Sequence, residues 1–472
     1  MSDTPARRTK LICTIGPASG GRVAELITAG MNVARLNFSH GTPASIEKNG
    51  RAVRAAADEA GRRVALLADL SGPKIRIGDL RDGSATLEAG RRFRLEPRVS
   101  GAPGDETRAL VTDRSLAREV RPGDRVLLAD GAVELRVVTR DGDVETEVVR
   151  GGTIRSRAGV SIPSERMTGP PLTPKDRADV PRALALGVEY IAQSFVRRAD
   201  DIQVLRELLG SGGPPIIAKI ETRPAIDDFD AILDAADAVM IARGDLGVEL
   251  PYEEVPIIQK QLVRRALDRG IPSIVATQML ESMISSPRPT RAEASDVANA
   301  VFDGADAIML SGETAIGAFP VLAAEAAARI CRLCEQRGGE LLAPGATRPT
   351  DSDARALAYA AVKLAEAEPD IDAIACYTRS GWTARVLSSL RPHVPIFAFS
   401  PDPLVVARLA LVHGVVAATC VPPADTASRL GLMAWLIREA GSVPPGSAVV
   451  LVASTADPGT GPNLLEVHRL PQ

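Results

Sequence analysis

Short apolar runs that end abruptly in charged residues recur along this chain. Ile216–Ile220 contains Lys219 and runs into Glu221, and Ala238–Ala242 runs into Arg243, Gly244 and Asp245. Runs of this length, apolar at consecutive positions, suit parallel strands buried on both faces. Six more occur at residues 11–15, 32–37, 64–70, 190–193, 273–277 and 307–311. Helical patterns separate several of them, at residues 22–29, 44–60, 252–269 and 291–302. The alternation predicts an α/β chain of eight βα units, whose economical closure is a (β/α)8 TIM barrel.

Closure gathers the polar strand ends around one mouth. Arg35, Asn37 and Ser39 come from the second run, Asp69 from the third, Gln193 and Ser194 from the fourth and Lys219 with Glu221 from the fifth. Arg243 and Asp245, Thr277, and Ser311 with Glu313 follow from the last three. That face is where barrel enzymes carry their sites. A lysine among carboxylates there suits a cation held for phosphate or enolate chemistry. Structural ion pairs at sheet edges explain any one such end, and their repetition favours a site.

The alternation is interrupted at residues 72–161, where short β runs carry turn punctuation. Runs 126–128, 133–138 and 144–149 precede Asp130-Gly131, Asp141-Gly142-Asp143 and Gly151-Gly152, and Asp-Gly suits turns needing positive φ. This is an inserted all-β domain that interrupts a barrel assigned to residues 1–71 and 162–337. Its place between a barrel strand and the next helix makes it a lid able to close over a substrate, or else a fixed decoration.

Residues 338–472 resume the alternation on a smaller scale, with a helix at 354–366 and strands at 373–378, 396–399, 415–420, 448–454 and 464–468. The pattern is that of a doubly wound α/β unit. Two of its strand ends are rich in glycine and hydroxyl residues: Thr378, Ser380, Gly381 and Thr383, and the loop 454–461. Such loops can cradle an anion, although turn and cap chemistry accounts for each separately.

Composition narrows the class. The 472 residues are 45% apolar, and 56 basic against 59 acidic side chains give a net charge of -3, so no bulk field points to nucleic acid or an acidic lipid surface. No stretch reads as a signal peptide or membrane span. The five cysteines form no disulfide framework, which fits a reducing cytoplasm, and Cys331 with Cys334 is read as packing on one helical face.

The runs TKLICTIGPAS, GMNVARLNFSHG, LADLSGPKIRIG, AKIE, ARGDLGVE, ATQMLESM and DVANAVFDGADAIMLSGETAIG, in this order, resemble pyruvate kinase over nearly the whole chain. The resemblance implies a TIM barrel with an inserted small β-barrel lid and a C-terminal α/β regulatory domain, usually in a homotetramer. It implies phosphoryl transfer from phosphoenolpyruvate to ADP, giving pyruvate and ATP at the last step of glycolysis. It implies Glu221 and Asp245 as ligands of Mg²⁺ or Mn²⁺, Lys219 as the main electrostatic catalyst, and Arg35 and Arg76 as phosphate-binding groups. Gly244 and Asp245 fall in the substrate-binding motif, Thr277 lies near the carbon that is protonated, and Asn37, His40 and Arg76 match nucleotide-binding positions. Thr378, Ser380, Gly381, Trp382 and Thr383 match an effector pocket. There Trp382 stands where members that bind fructose bisphosphate carry a basic residue, and loop 454–465 has no Arg or Lys. AMP or a sugar monophosphate, stacked on Trp382, is therefore expected over a bisphosphate.

One departure concerns the monovalent ion. Many relatives hold K⁺ with residues matching Asn37, Ser39 and Asp69, and carry Glu where this chain has Lys74. An ammonium is a compact charge able to stand in for K⁺, and Leu70 also matches K⁺-independent relatives. K⁺ is expected not to be required. The spacing of Lys74 and Arg76 predicts that both aim at the same face. Two other readings are a Mg²⁺-dependent enolate lyase or aldolase on a similar barrel, and a silent sensor of phosphoenolpyruvate or sugar phosphates. The lid and the Arg35, Asn37 and Ser39 cluster favour the kinase.

Overall fold

The computed structural model describes residues 7–98, 100–342, 344–345, 352–421, 423, 426–439, 443–454 and 462–471. Its centre is a closed barrel of eight parallel strands. In chain order they are Lys10–Thr14, Val33–Asn37, Ala65–Asp69, Tyr190–Val196, Ile216–Ile220, Ala238–Ala242, Ser273–Ala276 and Ala307–Leu310, so every predicted strand is present. The side-chain period of two sorts each strand. Ile12, Val33, Leu67, Ile217 and Met240 fill the interior, while Leu11, Leu66, Ile216 and Ile241 pack outward under the helices. The same alternation carries Thr14, Arg35, Asp69, Ser194 and Lys219 inward at the top of the barrel, each two residues beyond an interior apolar position.

The helix expected at 252–269 spans Val255–Arg269 instead. Pro256 sits at its first turn, where a missing N–H is no loss and the fixed φ begins the helix, which leaves Tyr252 outside it.

The inserted segment forms a seven-stranded sheet and a two-stranded ribbon. Ile75–Arg76 and Arg108–Val111 are the outer strands of the sheet. They meet through a bridge between Ile77 and Val111, with Gly78 N donating to Leu110 O (2.8 Å) and Thr112 N to Arg76 O (3.0 Å). The sheet therefore curls into a small barrel with its own core, including Phe93, Leu95, Val126 and Leu135. The predicted Asp130-Gly131 turn has positive φ at both residues (53° and 89°). Where the chain leaves for this segment, Gly72 (φ 66°) passes so close to Ser194 that a Cβ would lie 2.8 Å from the Ser194 Cβ. Only glycine satisfies both demands.

The C-terminal sheet has the order Val415–Thr419, Ile396–Ser400, Ile371–Tyr377, Ala448–Ala453, Leu464–Arg469, with only the last strand antiparallel. The strand order reverses between Ile371–Tyr377 and Ala448–Ala453, which is where open α/β sheets bind ligands. This unit docks on the closed end of the large barrel. Leu411 is fully buried in the barrel's interior cluster, the Tyr190 hydroxyl donates to Arg408 O, and Arg391 pairs with Asp306 at 3.2 Å. Lys10 is buried there and donates to Val415 O at 2.7 Å. Among the described residues no helix is long and apolar enough to cross a membrane, and all five cysteines are buried and free.

Burial pushes the Lys10 pKa down to about 7, and the neighbouring Arg7 charge adds to the fall. Between pH 7 and Lys10's ordinary 10.5 the unfolded chain holds a proton there that the folded chain has released. Folded stability therefore rises with pH across that window. The thermal midpoint of the parent, minus that of Lys10→Met, should increase from pH 7 to pH 10; a difference independent of pH would refute the assignment.

Candidate active site

The fifth strand delivers Lys219 into the barrel mouth, where the side chain is 10% exposed. Its ammonium donates to Ser194 Oγ (2.7 Å) and lies 3.3 Å from Asp69 Oδ1 and 2.9 Å from Glu221 Oε1. Ser194 Oγ in turn donates to Leu70 O at 2.8 Å. Asp69, at the end of the third strand, accepts from Arg35 Nε at 2.7 Å, and Arg35 Nη1 donates to Thr14 Oγ1 at 3.0 Å. Five strands thus meet in one network around two cations and two carboxylates.

Its electrostatics follow from burial and pairing. Burial alone would lower the Lys219 pKa, but Asp69 and Glu221 outweigh it and hold the ammonium charged far above neutrality. Burial would raise Asp69, and the Lys219 and Arg35 charges instead hold it below the usual carboxylate range. Glu221 behaves oppositely: burial, joined by the Asp245 charge, raises its pKa against the pull of Lys219.

Glu221 Oε2 accepts from Phe195 N at 2.7 Å. Its Oε1 is buried 2.9 Å from the Lys219 ammonium, an ion pair without a well-aligned hydrogen bond. A carboxylate raised by burial and by a like charge, with one oxygen lacking an aligned hydrogen bond, is what a divalent cation between Glu221 and Asp245 would satisfy. No cluster of three or more His, Cys, Asp or Glu side chains is arranged for a metal among the described residues. Two carboxylates suffice for Mg²⁺, which keeps waters and takes substrate oxygens for its other positions.

Thr277 lies just beyond the seventh strand at φ 69°, and Gln278 follows at φ 56°. Positive φ at a β-branched residue is strained, by roughly 1–3 kcal/mol. Arg243 pins this turn: Nη2 donates to Thr277 O (2.7 Å) and Nη1 to Asp296 Oδ1 (2.6 Å). The Thr277 hydroxyl accepts from Gly244 N (2.7 Å) and donates to Ala276 O (2.5 Å), so its own proton is already engaged.

The remaining positions divide. Asn37 Oδ1 accepts from Ser39 N at 3.0 Å. His40 is held below its ordinary pKa by partial burial and by the charges of Arg76, Arg35 and Lys74. Lys74 reaches the mouth, 3.4 Å from Asp245 Oδ1 and 3.6 Å from Asp130 Oδ1 of the inserted segment. Arg76 Nη1 donates to Arg157 O at 3.1 Å. Asp130 was legible only as a turn residue, and nothing in its local sequence announces the pairing with Lys74.

At the C-terminal switch point, Thr378 Oγ1 accepts from Gly381 N at 3.0 Å, and Gly381 has φ 81°. Arg355 lies over the Trp382 ring (5.9 Å) and Arg429 over Tyr377 (5.4 Å). These guanidiniums come from helices remote in sequence. They add to the positive charge of Arg379 in the loop itself, and Arg355 takes one face of Trp382. Of loop 454–461, residues 455–461 lie outside the described residues.

A parallel barrel with this mouth and a small β-barrel inserted beside it belongs, by comparison with known proteins, among the phosphotransferases. Residues 6–324 match the family model "Pyruvate kinase, barrel domain", and residues 355–468 match "Pyruvate kinase, alpha/beta domain". The chain is 42% identical over 470 residues to the pyruvate kinase of Corynebacterium glutamicum, covering 98% of each. It is 42% identical over 471 residues to that of Mycobacterium tuberculosis, again covering 98% of each. A solved pyruvate kinase from Cryptosporidium parvum superposes with a TM-score of 0.89 at 33% identity, over 98% of this chain and 96% of that one. The chain belongs to the pyruvate kinase family.

Proposed function

We propose that this chain transfers the phosphoryl group of phosphoenolpyruvate to ADP, giving pyruvate and ATP. The observation that carries the reading is the buried Lys219 ammonium, flanked by Asp69 and by Glu221, whose Oε1 lacks an aligned hydrogen bond. Phosphoryl transfer asks for positioning and charge neutralisation more than covalent help. Glu221 and Asp245 hold Mg²⁺ or Mn²⁺, which when bound neutralises phosphate oxygens. Lys219 stabilises the charge on the moving phosphoryl group and on the enolate left behind. Arg35 and Arg76 bind the phosphate, Gly244 the substrate, and Asn37 and His40 the nucleotide. Thr277, whose proton is engaged, orients a proton-relaying water rather than acting as an acid. The assembly is a homotetramer acting in the cytoplasm. Pyruvate formation should require both ADP and Mg²⁺, and Lys219→Met should lower kcat far more than it weakens phosphoenolpyruvate binding. Turnover without ADP would favour an enolate lyase, no turnover a silent sensor, and near-normal kcat in the variant would remove Lys219 from the role.

Lys74 replaces the monovalent ion. Its ammonium is already paired with carboxylates at the mouth, where a second cation would meet like-charge repulsion. Activity at constant ionic strength should be nearly equal in K⁺, Na⁺ or a bulky organic cation, and Lys74→Glu should create a K⁺ requirement. A large K⁺ stimulation of the parent protein would overturn this.

A phosphorylated metabolite bound beside Thr378, Ser380, Gly381, Trp382 and Thr383 activates the enzyme. The support is the switch-point position and the helix Trp382–Ser389 that opens from the loop. A monophosphate remains the proposed class, although Arg355 and Arg429 remove the argument that a bisphosphate lacks cations there. Kinetic comparison of AMP, glucose 6-phosphate, ribose 5-phosphate and fructose 1,6-bisphosphate tests the choice, and strongest activation by the bisphosphate would reverse it.

A further inference from the structure

Asp245 stands on a short and intrinsically weak helix. Arg243–Glu249 has seven residues, two of which, Gly244 and Gly247, each disfavour helix by about 1 kcal/mol relative to alanine. Leu246 is its one buried residue. Such a helix keeps its place through contacts made at its ends. At the start, Arg243 holds Asp296 and Thr277 O. At the end, Glu249 Oε1 accepts from both Ser164 Oγ (2.5 Å) and Ser164 N (3.3 Å).

Ser164 occupies a particular position. It is 2% exposed and begins the turn Ser164–Arg166, three residues after the last strand of the inserted segment, Gly159–Ser161. It is therefore the point at which the chain returns from the lid to the barrel. The outward crossing attaches to the same helix, since Lys74 pairs with Asp245. Asp245 and Glu249 are four residues apart and so lie on one helix face. With Lys74, Glu221 and Ser164 they line a single cavity of about 40 Å³.

We propose that Glu249 is a positioning residue for phosphoryl transfer: by gripping Ser164 at the lid's return crossing, it fixes the helix that presents Asp245 to the divalent cation. The inference rests on the reading of Glu221 and Asp245 as the cation's ligands. Glu249 touches neither substrate nor reacting atoms. It acts through helix placement, so its loss is felt in cation affinity before it is felt in the chemical step.

The experiment measures Mn²⁺ binding to the full chain without substrates, by water-proton relaxation, together with the Mg²⁺ concentration that gives half-maximal turnover. Glu249→Ala and Ser164→Ala should each weaken Mn²⁺ binding by about 10-fold or more, the scale typical for groups that orient a metal ligand. The rise in Mg²⁺ requirement should exceed the fall in kcat. Glu249→Gln keeps an acceptor oxygen for Ser164 and should restore most of the affinity. The double alanine variant should be no worse than Glu249→Ala, which removes both bonds to Ser164, whereas Ser164→Ala removes only the one from its hydroxyl. Parent-like Mn²⁺ affinity in Ser164→Ala, Glu249→Gln as weak as Glu249→Ala, or additive losses would each overturn the proposal. Asp245→Ala serves as the separate control: if it binds Mn²⁺ like the parent, the ligand assignment fails, whatever Glu249 does.

Discussion

A charged lysine inside a barrel must be surrounded by partners, and this requirement organises the mouth. Desolvating an ammonium costs several kcal/mol unless opposite charge and hydrogen bonds replace water. Lys219 obtains them from two other strands, through Asp69 and Ser194, and from Glu221 just beyond its own strand. Asp69 then needs Arg35, and Arg35 uses Thr14. The links come from five consecutive strands, so the closed register of the barrel and the balance of charge specify one another. With Lys219 and Arg35 set against Asp69 and Glu221, the buried group is neutral before any ligand arrives. A divalent cation and a phosphate can then be added as a second, separately balanced set.

Around that fixed group the structure places elements that hold less firmly. The turn at Thr277 carries backbone strain and is pinned by Arg243. The helix bearing Asp245 is glycine-rich and held at its ends. The inserted barrel joins the large one through two crossings, at Gly72 and at Ser164, each in close contact with the mouth. Rigid charge at the centre and conditional contacts at the rim are the arrangement expected of a site that must admit two anionic substrates and then exclude water.

Much of this was legible in the sequence because buried parallel strands leave uninterrupted apolar runs. Their ends are marked by charge, and a period of two then aims Lys219 and Glu221 alike. What the sequence could not show were contacts between remote segments. Lys74 and Arg76 have strand spacing, yet the strand is only two residues long. Arg76 donates to Arg157 O while Lys74 pairs with Asp245, partners that strand spacing does not name. The Glu249 contact with Ser164 spans 85 residues and joins a loop to a helix end, with no periodicity to betray it. The same holds for Arg355 and Arg429, whose approach to Trp382 and Tyr377 depends on how the C-terminal helices pack.

The closed end of the barrel is completed from outside it. Leu411 belongs to the C-terminal unit, yet it shares the interior cluster with Ile12, Val33 and Tyr190. The catalytic barrel consequently has no finished floor of its own during synthesis. Until residue 411 has emerged from the ribosome, the underside of an otherwise assembled barrel exposes an apolar opening and the buried Lys10 lacks its acceptor at Val415. The order of translation thus makes a later-made unit the one that seals the earlier, and until then the nascent chain exposes that apolar opening to aggregation.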